Sequence, residues 1–162
     1  MGQRKPTGTP ALVALTRAGI PHSVHAYDHD PAAPSFGLEA AAALGVDPAR
    51  VFKTLIAEVD DVPVVAVVPV NGSLDLKALA RARQGKRARM MPVAAAERLT
   101  GYVAGGISPF GQRTTSETVV DASASGHATV FVSAGRRGLD VEVSPRDLVL
   151  LTGARTALIS SG

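Results

Sequence analysis

The chain has 162 residues, 46% hydrophobic and 19% charged, with neither cysteine nor tryptophan. That length suits one domain with a sizeable core, and the missing cysteine excludes a disulfide scaffold, thiolate metal ligation and an enzyme thiol nucleophile. Seventeen Lys and Arg against fourteen Asp and Glu leave a net charge of +3, a tilt that admits a polyanionic partner without requiring one.

Residues 1–8 read as a flexible polar tail and residues 9–162 as one domain without internal repeat or linker. No apolar stretch follows Arg4 and Lys5 before Pro10, so no secretory leader is expected. Thr9-Pro10 opens a helix, with Thr as N-cap and Pro at the first helical position, and Gly19 stops it. Residues 23–28 predict a short strand and residues 29–37 a loop. Residues 38–44 predict an alanine-rich helix ending at Gly45. Residues 51–59 and 62–68 are β-rich runs joined at Asp60-Asp61, a hairpin signal. In the second run both parities are apolar, which implies burial on both faces and a central place in the sheet. The apolar run 62–70 holds two prolines and is far too short to cross a bilayer. Helices follow at 75–84, closed by Gly85, and at 92–99. Strands follow at 118–121, 128–133 and 139–143, then a short helix capped by Ser144-Pro145 and a last strand over 155–159. Strands outnumber helices and show no regular βαβ alternation, so the expected class is α+β, with a mixed, mainly antiparallel sheet and short helices around it.

Several segments offer chemistry, each with a plain structural alternative. Residues 101–111 hold four glycines, which permit positive φ and expose backbone N–H groups to an oxyanion, carboxylate or phosphate. The same composition also suits a simple connection. Ser108 lies in a Ser-Pro turn with no histidine near it in sequence and reads as a loop residue. Lys53 shares its strand face with Val51, Leu55, Ala57 and Val59; it either snorkels to an edge or enters a polar pocket, where its ammonium would hold a carbonyl oxygen, carboxylate or phosphate. Residues 133–140, with Arg136 and Arg137 between glycines, form either a hairpin turn or a small-residue pocket wall beside a phosphate clamp. His22, His25, Asp28, His29 and Asp30 match no standard zinc spacing, and strand parity sends them to different faces, so no metal is expected. The basic stretch Arg81, Arg83, Lys86, Arg87 and Arg89 reads as a solvated helix end or a nucleic-acid contact, without interleaved aromatics to stack bases.

In order, Tyr27-Asp28-His29-Asp30, Phe36-Gly37, Val51-Phe52-Lys53-Thr54-Leu55 and Leu74-Asp75-Leu76-Lys77 precede Gly101-Tyr102-x-x-Gly-Gly-Ile-Ser-Pro-x-Gly and Ser133-Ala134-Gly135-x-Arg137-Gly138-Leu139-Asp140. This set closely resembles the YbaK/EbsC family, free-standing deacylases related to the editing domain inserted in bacterial prolyl-tRNA synthetases, over about residues 9–159. The resemblance implies a sheet curled into a partly open barrel, no cofactor, and hydrolysis of Cys-tRNA(Pro) in which the substrate's own thiol attacks the ester. Alternatives are a deacylase for another small residue, such as Ala-tRNA(Pro), or a non-catalytic module binding tRNA or synthetase. By motif, Lys53 with the backbone of Gly105 and Gly106 would serve catalysis, and Tyr27, Phe36, Ser133, Gly135 and Asp140 would bound the substrate. Arg113, Arg136 and Arg137 are the candidate nucleic-acid contacts. Gln112-Arg113-Thr114 departs from the family's basic pair by one cation, at Thr114. Expected partners are the Cys-tRNA(Pro) acceptor end and prolyl-tRNA synthetase. The resemblance further implies a cytoplasmic protein, monomeric or weakly dimeric and not membrane-bound.

Overall fold

A computed structural model describes residues 8–33 and 35–162; apart from Gly8, the expected N-terminal tail lies outside them. The helices are α1 (Pro10–Arg17), α2 (Phe36–Leu44), α3 (Leu76–Ala82), α4 (Val93–Thr100) and α5 (Pro145–Thr152). The strands are β1 (Ser23–Ala26), β2 (Phe52–Val59), β3 (Val62–Pro69), β4 (Ser73–Leu74), β5 (Ala88–Met90), β6 (Glu117–Asp121), β7 (Val130–Arg136), β8 (Leu139–Val143), β9 (Arg155–Ala157) and β10 (Ser160–Ser161).

Local chemistry sets most boundaries. Thr9 caps α1 by accepting from the Leu12 N–H, and Ser144 caps α5 by accepting from Asp147. Asp60 and Asp61 both take positive φ, at 49° and 67°, in the two-residue turn between β2 and β3, whose twist matches that of the strands it joins. The Asp60 carboxylate accepts from the backbone N–H groups of Lys86 and Arg87, 2.9 Å each, which pins the approach to β5. One boundary differs from the expected loop over 29–37. Ser35 caps α2 by accepting from Leu38, so the helix begins at Phe36 and carries that ring and Gly37 in its first turn. The expected strand 155–159 ends early, at Ala157, and a further short strand, β10, follows it in a different sheet.

The strands form three sheets, ordered β5-β2-β3-β6-β9, β1-β8-β7 and β10-β4. Five of the seven strand pairings among the described residues are antiparallel; β3–β6 and β6–β9 are parallel. A parallel bridge between Val51 and Phe131 joins the two larger sheets. β3 is central, as its two-sided apolar pattern predicts. Val65 and Val67 pack with α1, Phe110 and the β7–β8 sheet, while Val64, Ala66 and Val68 pack with Leu79 of α3. Each such valine contributes roughly 1.5–3 kcal/mol of burial.

Asp121, fully buried at the end of β6, ties the C-terminal strands to this sheet. Its Oδ1 accepts from the N–H groups of Ile159 and Ser160 at 2.9 and 3.0 Å, and Oδ2 from the Ser123 N–H at 3.1 Å. Burial alone would raise its pKa; the hydrogen bonds outweigh it and the net shift is downward. Its stabilising contribution is therefore complete above the unfolded pKa of about 4 and fades as pH falls through the lower folded value. Asp121→Asn, with one acceptor oxygen fewer, is expected to cost about 1–3 kcal/mol in urea unfolding at pH 7. The difference from the parent should shrink below about pH 4.

Candidate active site

A cavity of about 290 Å³ opens where the start of β2, the first turns of α2, the Gly-rich loop before β6 and the β7–β8 sheet converge. Strand parity allows Lys53 either to snorkel to an edge or to enter a pocket, and in the fold it lies in the cavity wall. Its strand neighbours of the same parity, Leu55, Ala57 and Val59, pack beneath α3, whereas Lys53 lies beyond that cover. Ser133 and Asp140 are directly opposite partners on β7 and β8, so their side chains share a face, and both line the cavity with Tyr27, Phe36 and Gly105.

Glycines bring these elements together. A Cβ at Gly37 would meet Val70 Cγ1 at 2.3 Å, so α2 lies pressed on the end of β3 and Phe36 is held at the cavity. Gly105 has φ +86°, and a Cβ there would meet the Phe36 ring at 2.8 Å and Arg137 Nε at 2.9 Å. Arg137 closes the same corner, donating from Nε to the Ala104 carbonyl at 2.8 Å while its guanidinium lies 4.7 Å from the Phe36 ring centroid.

Gly106 and Gly135 do not line the cavity. Gly106 packs against the Arg136 backbone, where a Cβ would meet Cα at 2.7 Å, and its N–H is already donated to the Val103 carbonyl. Gly135 has φ +111° in the bulge of β7 and faces Tyr102 and Thr9. Its N–H donates to Ser133 Oγ at 3.1 Å, which orients that hydroxyl. Arg136 and Arg113 are exposed and outside the cavity wall, Arg113 lying beside Gly101 at the end of α4. Ser108 is fully buried within its loop and accepts from the Phe110 N–H. The histidines take separate partners: His22 the Ile20 carbonyl, His25 Glu142, and His29 Glu39.

Thr54 is a wall residue that the reading by residue type passed over; it is buried, and its hydroxyl has no hydrogen-bond partner among the described residues. A threonine in a strand, on the opposite parity to Lys53 and level with Phe52 and Ile56, carries no signal of its own by residue type, and the fold is what brings it to the wall.

Asp140 is the electrostatic centre of the cavity. Burial pushes its pKa up to about 7. Burial, then the nearby Asp140 charge, pushes the Tyr27 hydroxyl up to about 12. The folded protein therefore holds a proton on Asp140 more tightly than the unfolded chain does. The associated stability is full below about pH 4 and is lost as pH rises through about 7. Asp140→Asn should flatten this fall, making the variant more stable than the parent at pH 8 by on the order of a few kcal/mol in denaturant unfolding.

Residues 30–151 match the aminoacyl-tRNA editing domain family. A relative from Enterococcus faecalis, named "Putative Cys-tRNA(Pro)/Cys-tRNA(Cys) deacylase EbsC", is 38% identical over 122 residues, covering 75% of this chain and 74% of the relative. A solved structure of a protein described as hypothetical superimposes with TM-score 0.83 at 27% identity, covering 94% of this chain and 99% of the other. Another, described as "a putative trans-editing enzyme for prolyl tRNA synthetase", gives TM-score 0.82 at 24% identity over 99% of this chain and 100% of that one, a likeness of fold. With this match spanning most of the chain, and with the relative 38% identical over three quarters of it, the chain belongs to the aminoacyl-tRNA editing domain family.

Proposed function

We propose that the protein is a trans-editing aminoacyl-tRNA deacylase that clears Cys-tRNA(Pro). The observation that carries this reading is the meeting of Lys53, Ser133 and Asp140, from separate strands, in one small cavity. The relative of known name and the family of the chain support the reaction class. The two larger sheets, joined at Val51 and Phe131, are read as walls of the partly open barrel that encloses the site, and residues 9–162 as one working domain.

In the proposed mechanism the cysteinyl sulfur attacks its own ester carbonyl. The C–S bond forms, the C–O bond to the tRNA 3′ end breaks, the thiol proton ends on the released hydroxyl, and the acyl group leaves as a cyclic thiolactone. Lys53 stabilises the oxyanion with the Gly105 backbone, Asp140 faces the substrate α-amino group, and Ser133, Tyr27 and Phe36 bound the aminoacyl group. Gly106 and Gly135 act through the loop and bulge they permit.

Thiol assistance also answers a selectivity problem. A pocket that admits cysteine admits alanine and serine, because one missing group changes binding by only about 1–3 kcal/mol. Chemistry that needs the sulfur discriminates where size does not. A compact surface of +3 net charge has little with which to read a whole tRNA, so action beside prolyl-tRNA synthetase in the cytoplasm completes the reading.

Tested on Cys-, Ala-, Ser- and S-methyl-Cys-charged tRNA(Pro), the purified protein should deacylate only the first. Rapid loss of alanine with cysteine untouched would reassign the substrate, and brisk hydrolysis of the S-methyl ester would reject the thiolactone route. Lys53→Ala should lower kcat/KM for Cys-tRNA(Pro) by about 100-fold with an unchanged circular dichroism spectrum; wild-type turnover would remove Lys53 from the mechanism.

A further inference from the structure

The basic stretch after α3 is divided by the structure into matched and unmatched charges. Arg83 pairs with Glu117 at 2.6 Å, and Arg89 bridges Glu58 at 2.8 Å and Asp61 at 3.4 Å. Arg81, Lys86 and Arg87 make no side-chain ion pair among the described residues, and neither does Lys77 one turn before Arg81. These four exposed cations line one groove of about 410 Å³ with Leu76 and Ala80, and no Asp or Glu lines it. The adjacent Asp60 carboxylate is occupied by the backbone N–H groups of Lys86 and Arg87.

Helix electrostatics accounts for only part of this. Arg81, in the last turn of α3, sits well for the helix dipole, but Lys77 lies in the first turn, where a cation is disfavoured. Lys77 and Arg81 are also spaced i,i+4, so they stack like charges on one helix face, at a cost of a few tenths of a kcal/mol. Lys86 and Arg87 share their other side with the carboxylates of Glu58, Asp60 and Asp61, but the groove itself carries four cations and no acid, which suits a polyanion.

The groove also has a fixed relation to the cavity. α3 packs on the face of β2 that carries Leu55, Ala57 and Val59, and Lys53 ends the same face inside the cavity. At the other end, Gly85 approaches so closely that a Cβ would meet Val59 Cγ1 at 2.4 Å. From Lys53 to Val59 the strand runs about 20 Å, a distance that a few nucleotides of single strand cover.

We propose that Lys77, Arg81, Lys86 and Arg87 form a docking surface for the phosphate backbone of the RNA whose 3′ end enters the cavity. This rests on the reading of the cavity as an aminoacyl-tRNA site and adds where the rest of that molecule lies. The contact is to phosphates, so it supplies affinity and register rather than base sequence.

The test compares the parent with Lys77→Gln/Arg81→Gln/Lys86→Gln/Arg87→Gln and with the charge-preserving Lys77→Arg/Lys86→Arg. Binding of uncharged tRNA is followed by fluorescence anisotropy from about 50 to 300 mM salt, and turnover is measured on Cys-tRNA(Pro) and on a short cysteinylated oligonucleotide of the 3′ end alone. The glutamine variant should bind tRNA at least about tenfold more weakly, with a salt slope reduced by about three. It should raise KM for charged tRNA with kcat within twofold and leave the short substrate unaffected, while the arginine variant matches the parent. Unchanged tRNA affinity and salt slope would overturn the proposal, as would equal losses on both substrates or loss of synthetase binding with tRNA binding intact. If the parent hydrolyses no charged tRNA yet binds tRNA through these four residues, the enzymatic reading fails and the docking surface stands.

Discussion

Burial of β3 on both faces is the constraint around which the molecule is arranged. A strand with Val64 to Val68 wholly inside has no face to spare for chemistry, so the polar groups must come from its neighbours. α3 covers one face of the β2–β3 pair and the β7–β8 sheet with α1 covers the other. The α3 cover ends at Leu55. Lys53, two residues earlier on the same face, therefore escapes the apolar cluster and reaches the cavity, which lets a lysine follow the parity of core residues without burying a charge in the core.

The cavity is assembled by close backbone approach more than by side-chain bonding. Gly37 seats α2 on β3, Gly105 leaves room for the Phe36 ring, and Gly106 lets the loop rest on the β7–β8 connection. Arg137 then joins α2, loop and hairpin through one hydrogen bond and one ring contact. A side chain at any of these glycines would separate elements that converge on the cavity, so loop and pocket wall are coupled, even through Gly106, which does not line it. Within this enclosure Asp140 loses water and its pKa rises to about 7. The field that raises Tyr27 further is its own charge; under the proposed function, that carboxylate is the group the substrate ammonium would meet.

The order of elements was legible because local interactions act over a few residues. Thr9 with Pro10, Asp60 with Asp61, Ser144 with Pro145, and Gly45 after α2 mark boundaries that the structure keeps. Two boundaries depart from the local pattern because a side chain decides them: Ser35 caps α2 and draws Phe36 and Gly37 out of the expected loop, and the Asp121 carboxylate captures the N–H groups of Ile159 and Ser160, just past the point where the last expected strand ends early at Ala157. The site residues were only partly legible. Lys53, Ser133 and Asp140 stand out by charge or motif, whereas Thr54 does not, and the roles of Gly106 and Gly135 depend on Arg136 and on Tyr102 with Thr9, which are distant from them in the chain.

The sequence by itself therefore determined most of the elements, the caps of α1 and α5, the Asp60-Asp61 turn, the central strand and the +3 charge with no cysteine, since these follow from propensity, periodicity and count; the short strands β4, β5 and β10 carry no such signal. Only the tertiary structure decided which residues share a cavity and which glycines serve contact rather than lining. It also decided which of the basic residues near α3 are neutralised and which face solvent together, because each of these depends on groups far apart in the chain.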